Sequence, residues 1–199
     1  MGVLVTGFTT FGEHEVNPSR LIVEALAQRH SDIQTAVLPV EYRTSGELIC
    51  DLIRQYQPDA VIMLGLAARR SAINLERFAL NVDDASLPDN AGEIRNGQII
   101  VEDGPAAYVS TLPLDVMRSA LMARDVPTVI SNHAGAYLCN HVFYVVRHYL
   151  EQTGLHIPCG FIHVPDMGET GLPLATMIEA IDCCLDIARQ LSYPQIGLR

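Results

Sequence analysis

Three residues interrupt the pattern around them in ways that suit chemistry. Cys139 lies in "SNHAGAYLCNHVFYVV" (131–146), where small and polar residues give way to a helix-like apolar run. With a helix starting near Ala136, Cys139, Val142, Phe143 and Val146 fall at i, i+3, i+4 and i+7, one apolar stripe. That periodicity favours a core thiol, since free cysteine is among the most buried residue types. Position favours reaction, because unpaired backbone N–H groups and the helix dipole stabilise a thiolate in a first helical turn. Cys50, Cys183 and Cys184 fall in mid-helix patterns and Cys159 opens a strand-like run, so none shares that position.

A thiol nucleophile needs a base. His163 breaks the apolar run in "PCGFIHVPD" two residues before Pro165, near the carboxyl end of the run, where open α/β sheets place their ligands. Taken alone, it reads equally well as a hydrogen-bonded core histidine. His133, His141 and His148 compete by closeness to Cys139 in sequence, although neither His141 nor His148 stands at a strand end.

Glu76 is the third. If 72–82 is a strand, one face carries Asn74, Glu76, Phe78, Leu80 and Val82, so a carboxylate points the same way as large apolar residues. An unpaired carboxylate there is costly, so a partner is expected. Arg70 or Arg77 would make a structural salt bridge. An imidazole would be oriented by the acid as in a catalytic triad. The pattern leaves both open.

The elements that must position these residues alternate between strand-like and helix-like runs, which predicts an α/β sandwich. Strands are expected at 3–6, 35–40, 59–65, 72–82, 127–131 and 159–164, and helices at 18–29, 45–56, 114–123, 137–152 and 173–191. The run "DAVIMLG" (59–65) is almost wholly apolar, as a central strand covered on both faces should be. Residues 83–107, rich in Asp, Gly, Pro and Asn, read as a long loop with room for a short hairpin. The expected architecture is a three-layer α/β/α sandwich around a mixed, mostly parallel twisted sheet. No linker divides it, so residues 1–199 read as one domain.

Composition narrows the chemistry. The chain has 199 residues, 49% of them hydrophobic, enough to bury one sizeable core. A formal charge of −10 argues against nucleic-acid partners, since neutralising phosphates needs clustered cations. All 13 basic residues are arginine, which excludes lysine Schiff-base chemistry and a Walker-type phosphate clamp. The five cysteines have no CxxC spacing and the seven histidines no HExxH pair, which opposes a disulfide framework or a zinc site. No apolar run is long enough to cross a membrane, and "MGVLVTGF" reads as a first strand with no signal-peptide charge before it. Met1, Gly2 and Thr6 also fit the loose myristoylation pattern, but the strand explains them. The cytoplasm is the expected compartment.

Four ordered stretches resemble the pyroglutamyl peptidase I (pyrrolidone-carboxylate peptidase) family of cysteine peptidases. They are "VLVTGFTTFGEHEVNPS" (3–19), "RSAINLERFALNVDDASLPDNAG" (70–92), "HAGAYLCN" (133–140) and "GFIHVP" (160–165). The resemblance covers most of the chain and implies that Glu76, Cys139 and His163 are catalytic. It implies a thiolate attacking the carbonyl after an N-terminal pyroglutamate, histidine protonating the leaving amine, and glutamate holding the imidazole. It further implies no metal or other cofactor, peptides with N-terminal pyroglutamate as substrates, and assembly as a homotetramer or homodimer. Phe8 and Phe11 match aromatics that enclose the lactam ring, and Asn17 matches a polar contact in the "NPS" turn. Ordinary core packing is the plainer reading of the two phenylalanines.

Departures from the family pattern bear on the pocket. "GLAARR" (65–70) stands for the usual "GQAGGR", so Leu66 replaces a pocket-lining glutamine. "GFTTFGE" stands for "GFxPFGG", Ser86 for a frequent basic residue, and "DMGET" for an apolar continuation after "FIHVP".

Overall fold

The computed structural model describes residues 2–167 and 171–192, so Gly168, Glu169 and Thr170 of "DMGET" and the last seven residues lie outside the described chain. The first half of the chain gives β1 (Val3–Phe8), α1 (Pro18–Arg29), β2 (Gln34–Leu38), α2 (Tyr42–Tyr56), β3 (Ala60–Leu66) and β4 (Ile73–Leu80). Then follow β5 (Asp83–Ala85), β6 (Arg95–Gln98), β7 (Ala107–Val109), α3 (Leu114–Met122), β8 (Thr128–His133), α4 (Leu138–Thr153), β9 (Cys159–Val164) and α5 (Leu174–Ser192).

A seven-stranded sheet runs β2–β1–β3–β9–β4–β7, with β8 also paired to β4. The β2, β1, β3 and β9 strands are parallel, β4 meets β9 antiparallel, and β8 runs parallel to β4. Alternation sorts the side chains between two cores. Val3, Val5, Ile62, Leu64, Ile162 and Val164 pack with α1, α3 and α5. Leu4, Phe8, Val61, Met63 and Phe161 pack with α2 and α4 on the opposite face. The expected three-layer mixed sheet is therefore present. Every residue of β1, β3 and β9 is buried, because helices cover both faces.

Differences from the sequence reading have local causes. Helix α2 starts at Tyr42, not 45, because the side chain of Asp89 accepts from Tyr42 N at 2.9 Å, a cap supplied from 47 residues away. The 83–107 stretch contains the β5–β6 hairpin and then β7. In β4 the alternation stops early: Ala79 is buried, whereas Phe78 and Leu80 are only half-buried. No helix among the described residues is long and apolar enough to cross a membrane.

Candidate active site

Strand pairing brings the acid to the histidine. Across the β4–β9 ladder Asn74 is opposite His163 and Glu76 is opposite Phe161, so Glu76 and His163 are diagonal neighbours on one sheet face. His163 Nδ1 lies 2.8 Å from Glu76 Oε1. Arg70 Nη1 donates to that same oxygen at 2.9 Å. The two partners left open for Glu76 are thus both present, on one oxygen, while Arg77 is exposed. Glu76 is fully buried, and its Oε2 has no hydrogen-bond partner among the described residues.

With Nδ1 turned to Glu76, Nε2 is the other ring nitrogen, and Cys139 lies close enough to act on the ring electrostatically. Burial works against a charge on the imidazole. The influence of Cys139, followed by that of Glu76, outweighs it and raises His163 to about 9. A protonated imidazole next to a thiolate is the arrangement a cysteine nucleophile requires.

Cys139 is the second residue of α4 and is half-buried, so it does not share the full burial of Val142, Phe143 and Val146 on its stripe. The helix cap, Tyr137, contributes no side-chain hydrogen bond to the first turn, in which the sulfur sits. The other four cysteines are buried. Burial pushes the Cys50 thiol up to about 11 and Cys159 up to about 12, and raises Cys183 and Cys184 as well.

The first turn of α4 is tied to the end of β4 by side chains that the sequence reading did not single out. Asn140, fully buried beside the thiol, accepts from Leu80 N at 2.8 Å and donates to Leu80 O and Val82 O at 2.9 Å each. Asp84 N donates to Ala136 O at 2.8 Å. A polar residue in a run that is buried on most sides was the available signal. The competing histidines are used elsewhere. His141 Nδ1 pairs with Asp83 Oδ2 at 2.8 Å, His148 Nδ1 with the Tyr108 hydroxyl at 2.9 Å, and His133 Nδ1 accepts from Gly135 N at 3.1 Å.

Phe8, Phe11, Asn17 and Leu66 line one crevice with Cys139, joined by Val40, Tyr137 and Leu138, which the sequence reading missed. Its free volume is about 20 Å³, room for one water molecule. Phe11 is half-buried, with ring centroids 6.2 Å from Tyr137 and 5.1 Å from His14. Asn17 is mainly occupied in holding the turn: its Oδ1 caps α1 by accepting from Ser19 N at 3.1 Å and Ser19 Oγ at 2.8 Å, and its Nδ2 donates to Thr9 O at 2.9 Å. One amide hydrogen remains. Ser86 is exposed. Among the described residues no cluster of three or more His, Cys, Asp or Glu side chains is placed to hold a metal ion.

Comparison with known proteins gives one family. The pyroglutamyl peptidase family profile matches residues 1–184. The pyrrolidone-carboxylate peptidase of Oceanobacillus iheyensis is 43% identical over 166 residues, covering 82% of this chain and 83% of that protein. That of Thermococcus kodakarensis is 38% identical over 201 residues, with 98% of each chain covered. A solved structure of pyrrolidone carboxyl peptidase from Pyrococcus furiosus superposes with a TM-score of 0.91 at 36% identity, covering 97% of this chain and 100% of that one. The chain belongs to the pyroglutamyl peptidase family.

Proposed function

We propose that this protein removes an N-terminal pyroglutamyl residue from peptides, with Cys139 as nucleophile, His163 as proton carrier and Glu76 as the acid that orients the imidazole. One observation carries the reading: His163, hydrogen-bonded to Glu76, interacts with a helix-start thiol that lines an apolar crevice. The thiolate attacks the carbonyl carbon that joins the lactam ring to the peptide, and the first-turn amides of α4 stabilise the oxyanion. Imidazolium gives its proton to the leaving amine, the C–N bond breaks, and a thioester remains. Water then adds to the thioester, giving one proton back through His163, and free pyroglutamate leaves with the thiol regenerated.

Specificity follows from the walls. Pyroglutamate is uncharged, so Phe8, Phe11, Val40, Leu66 and Tyr137 provide contact area and the spare Asn17 amide hydrogen a polar contact. The crevice holds about 20 Å³ of water-accessible space, so a five-membered ring would fit closely against its walls. Phe11, half-buried on the turn between β1 and α1, is one of those walls. The same reading takes residues 1–199 as one peptidase domain, supported by a seven-stranded sheet built from both halves of the chain. It places the enzyme in the cytoplasm, supported by free cysteines. It takes the working form as a homotetramer or homodimer, which light scattering of the purified protein measures.

The deciding experiment offers pyroglutamyl-arylamide and a series of aminoacyl-arylamides to purified protein. Release from the pyroglutamyl compound alone is expected, with none from Cys139→Ser and continued release from serine variants of Cys50, Cys159, Cys183 and Cys184. Activity that survives in Cys139→Ser overturns the thiol mechanism, and preference for another N-acyl group overturns the substrate.

A further inference from the structure

Gly65 is the one position in β3 without a side chain, in a strand that otherwise reads Ala, Val, Ile, Met, Leu, Leu. Its φ is not positive, so backbone conformation does not require glycine there. Close approach does. A Cβ at position 65 would stand 2.8 Å from Cys139 Sγ, 2.8 Å from Phe161 Cζ and 3.0 Å from Phe161 Cε1. Gly65 also pairs in register with His163, so whatever rests on Gly65 lies beside the imidazole.

We propose that Gly65 is a positioning residue for the nucleophile: the bare backbone of β3 is the seat that sets the height of Cys139 Sγ against the His163 ring. This rests on Cys139 being the nucleophile. Contacts to a Cβ under 3.0 Å are essentially never seen and ordinary ones begin at 3.4 Å. An alanine methyl would therefore lift the sulfur by at least 0.2 Å (3.0 − 2.8), and by 0.6 Å (3.4 − 2.8) for an ordinary contact, and would displace the Phe161 ring edge as well. Lifting the sulfur takes it out of line with the imidazole and with the carbonyl it attacks. A misplacement of about 1 Å costs on the order of 100-fold in rate, so a loss of roughly 10- to 100-fold in kcat is expected for Gly65→Ala. Binding of the ring, which depends on the crevice walls, should change KM by less than about threefold. The coupling between thiol and imidazole weakens as the two separate, so alkylation of Cys139 by iodoacetamide shifts to more alkaline pH.

A purely structural clash with Phe161 predicts something else, and two further variants separate the cases. In Gly65→Ala/Phe161→Leu the aromatic obstacle is gone and the sulfur obstacle remains, so kcat should stay low compared with Phe161→Leu alone. In a Cys139→Ala background the sulfur is gone, so the loss in Tm caused by Gly65→Ala should shrink. This last comparison also serves if Gly65→Ala alone fails to fold, because removing the sulfur should then restore folding. The seat is overturned by an unchanged kcat in Gly65→Ala, by recovery of kcat on adding Phe161→Leu, or by an undiminished loss of Tm or of folding without the sulfur. If alkylating Cys139 in the unmodified chain leaves hydrolysis intact, the underlying mechanism fails instead, and the Tm comparison still reads the contact.

Discussion

Glu76–His163–Arg70 and Asp83–His141–Arg95 are built alike. Each carboxylate is fully buried, and one of its oxygens takes both an imidazole Nδ1 at 2.8 Å and an arginine Nη1, at 2.9 Å for Arg70 and 2.8 Å for Arg95. In each the other oxygen, Glu76 Oε2 or Asp83 Oδ1, has no hydrogen-bond partner among the described residues. The difference lies in what else meets each ring. The His163 ring is acted on by a thiol at a helix start, whereas His141 faces the α2 backbone: a Cβ on Gly46 would sit 3.5 Å from its Nε2. Tyr42 meets the His141 ring edge-on at 5.4 Å. An acid-oriented imidazole is therefore a structural joint in one place and a proton carrier in the other. The second neighbour of the ring decides which.

Substituting the two histidines is the hardest test of that contrast. His163→Ala should lower kcat by roughly 10²–10⁴-fold, the usual worth of a general acid–base group. His141→Ala should keep kcat within about threefold and lower Tm, because buried Asp83 loses one of two partners at a cost of about 1–3 kcal/mol. Comparable rate losses in two folded variants would erase the distinction.

The carboxylates give the next largest effect. His163 is raised to about 9, so its imidazolium persists through neutral pH and the alkaline limb of kcat/KM should fall near pH 9. Two of the influences that raise it come from Glu76. Glu76→Gln should therefore move that limb to lower pH and reduce the neutral rate about tenfold or more. Asp83→Asn should leave the limb in place. A pH–rate profile of each variant checks the sign.

The smallest effect concerns the crevice that Cys139 lines. Leu66→Gln restores two donors and an acceptor at its wall. A hydrogen bond is worth about 0.5–1.5 kcal/mol, so KM for a pyroglutamyl substrate should fall roughly three- to tenfold with kcat unchanged. An unaltered KM would place residue 66 in packing alone.

The features legible in the sequence were those carried by local pattern. Apolar runs placed the strands of the main sheet except β7, and periodicity placed the helices, because burial acts residue by residue along each element. Glu76, His163 and Cys139 were visible because each broke such a pattern. What the sequence withheld depended on pairing register or on distant contacts. Arg70 and His163 share one oxygen of Glu76 only because β4 meets β9 in a given register. The early start of α2 depends on Asp89, and Tyr137 enters the crevice only through the docking of α4. Asn140 was passed over because its three bonds go to backbone groups of Leu80 and Val82, which no residue type announces.

That last contact has a consequence for how the molecule fails. The Leu80 amide hydrogen is held by Asn140, so it exchanges with solvent only when the first turn of α4 lifts from β4. Amides in the interior of β3, between β1 and β9, exchange on wider opening of the sheet. Heating a sample until Leu80 exchanges quickly while β3 remains protected would populate a protein that is still folded but whose nucleophile has left its acid–histidine pair. Loss of hydrolysis on warming should then follow the Leu80 amide and precede the unfolding transition.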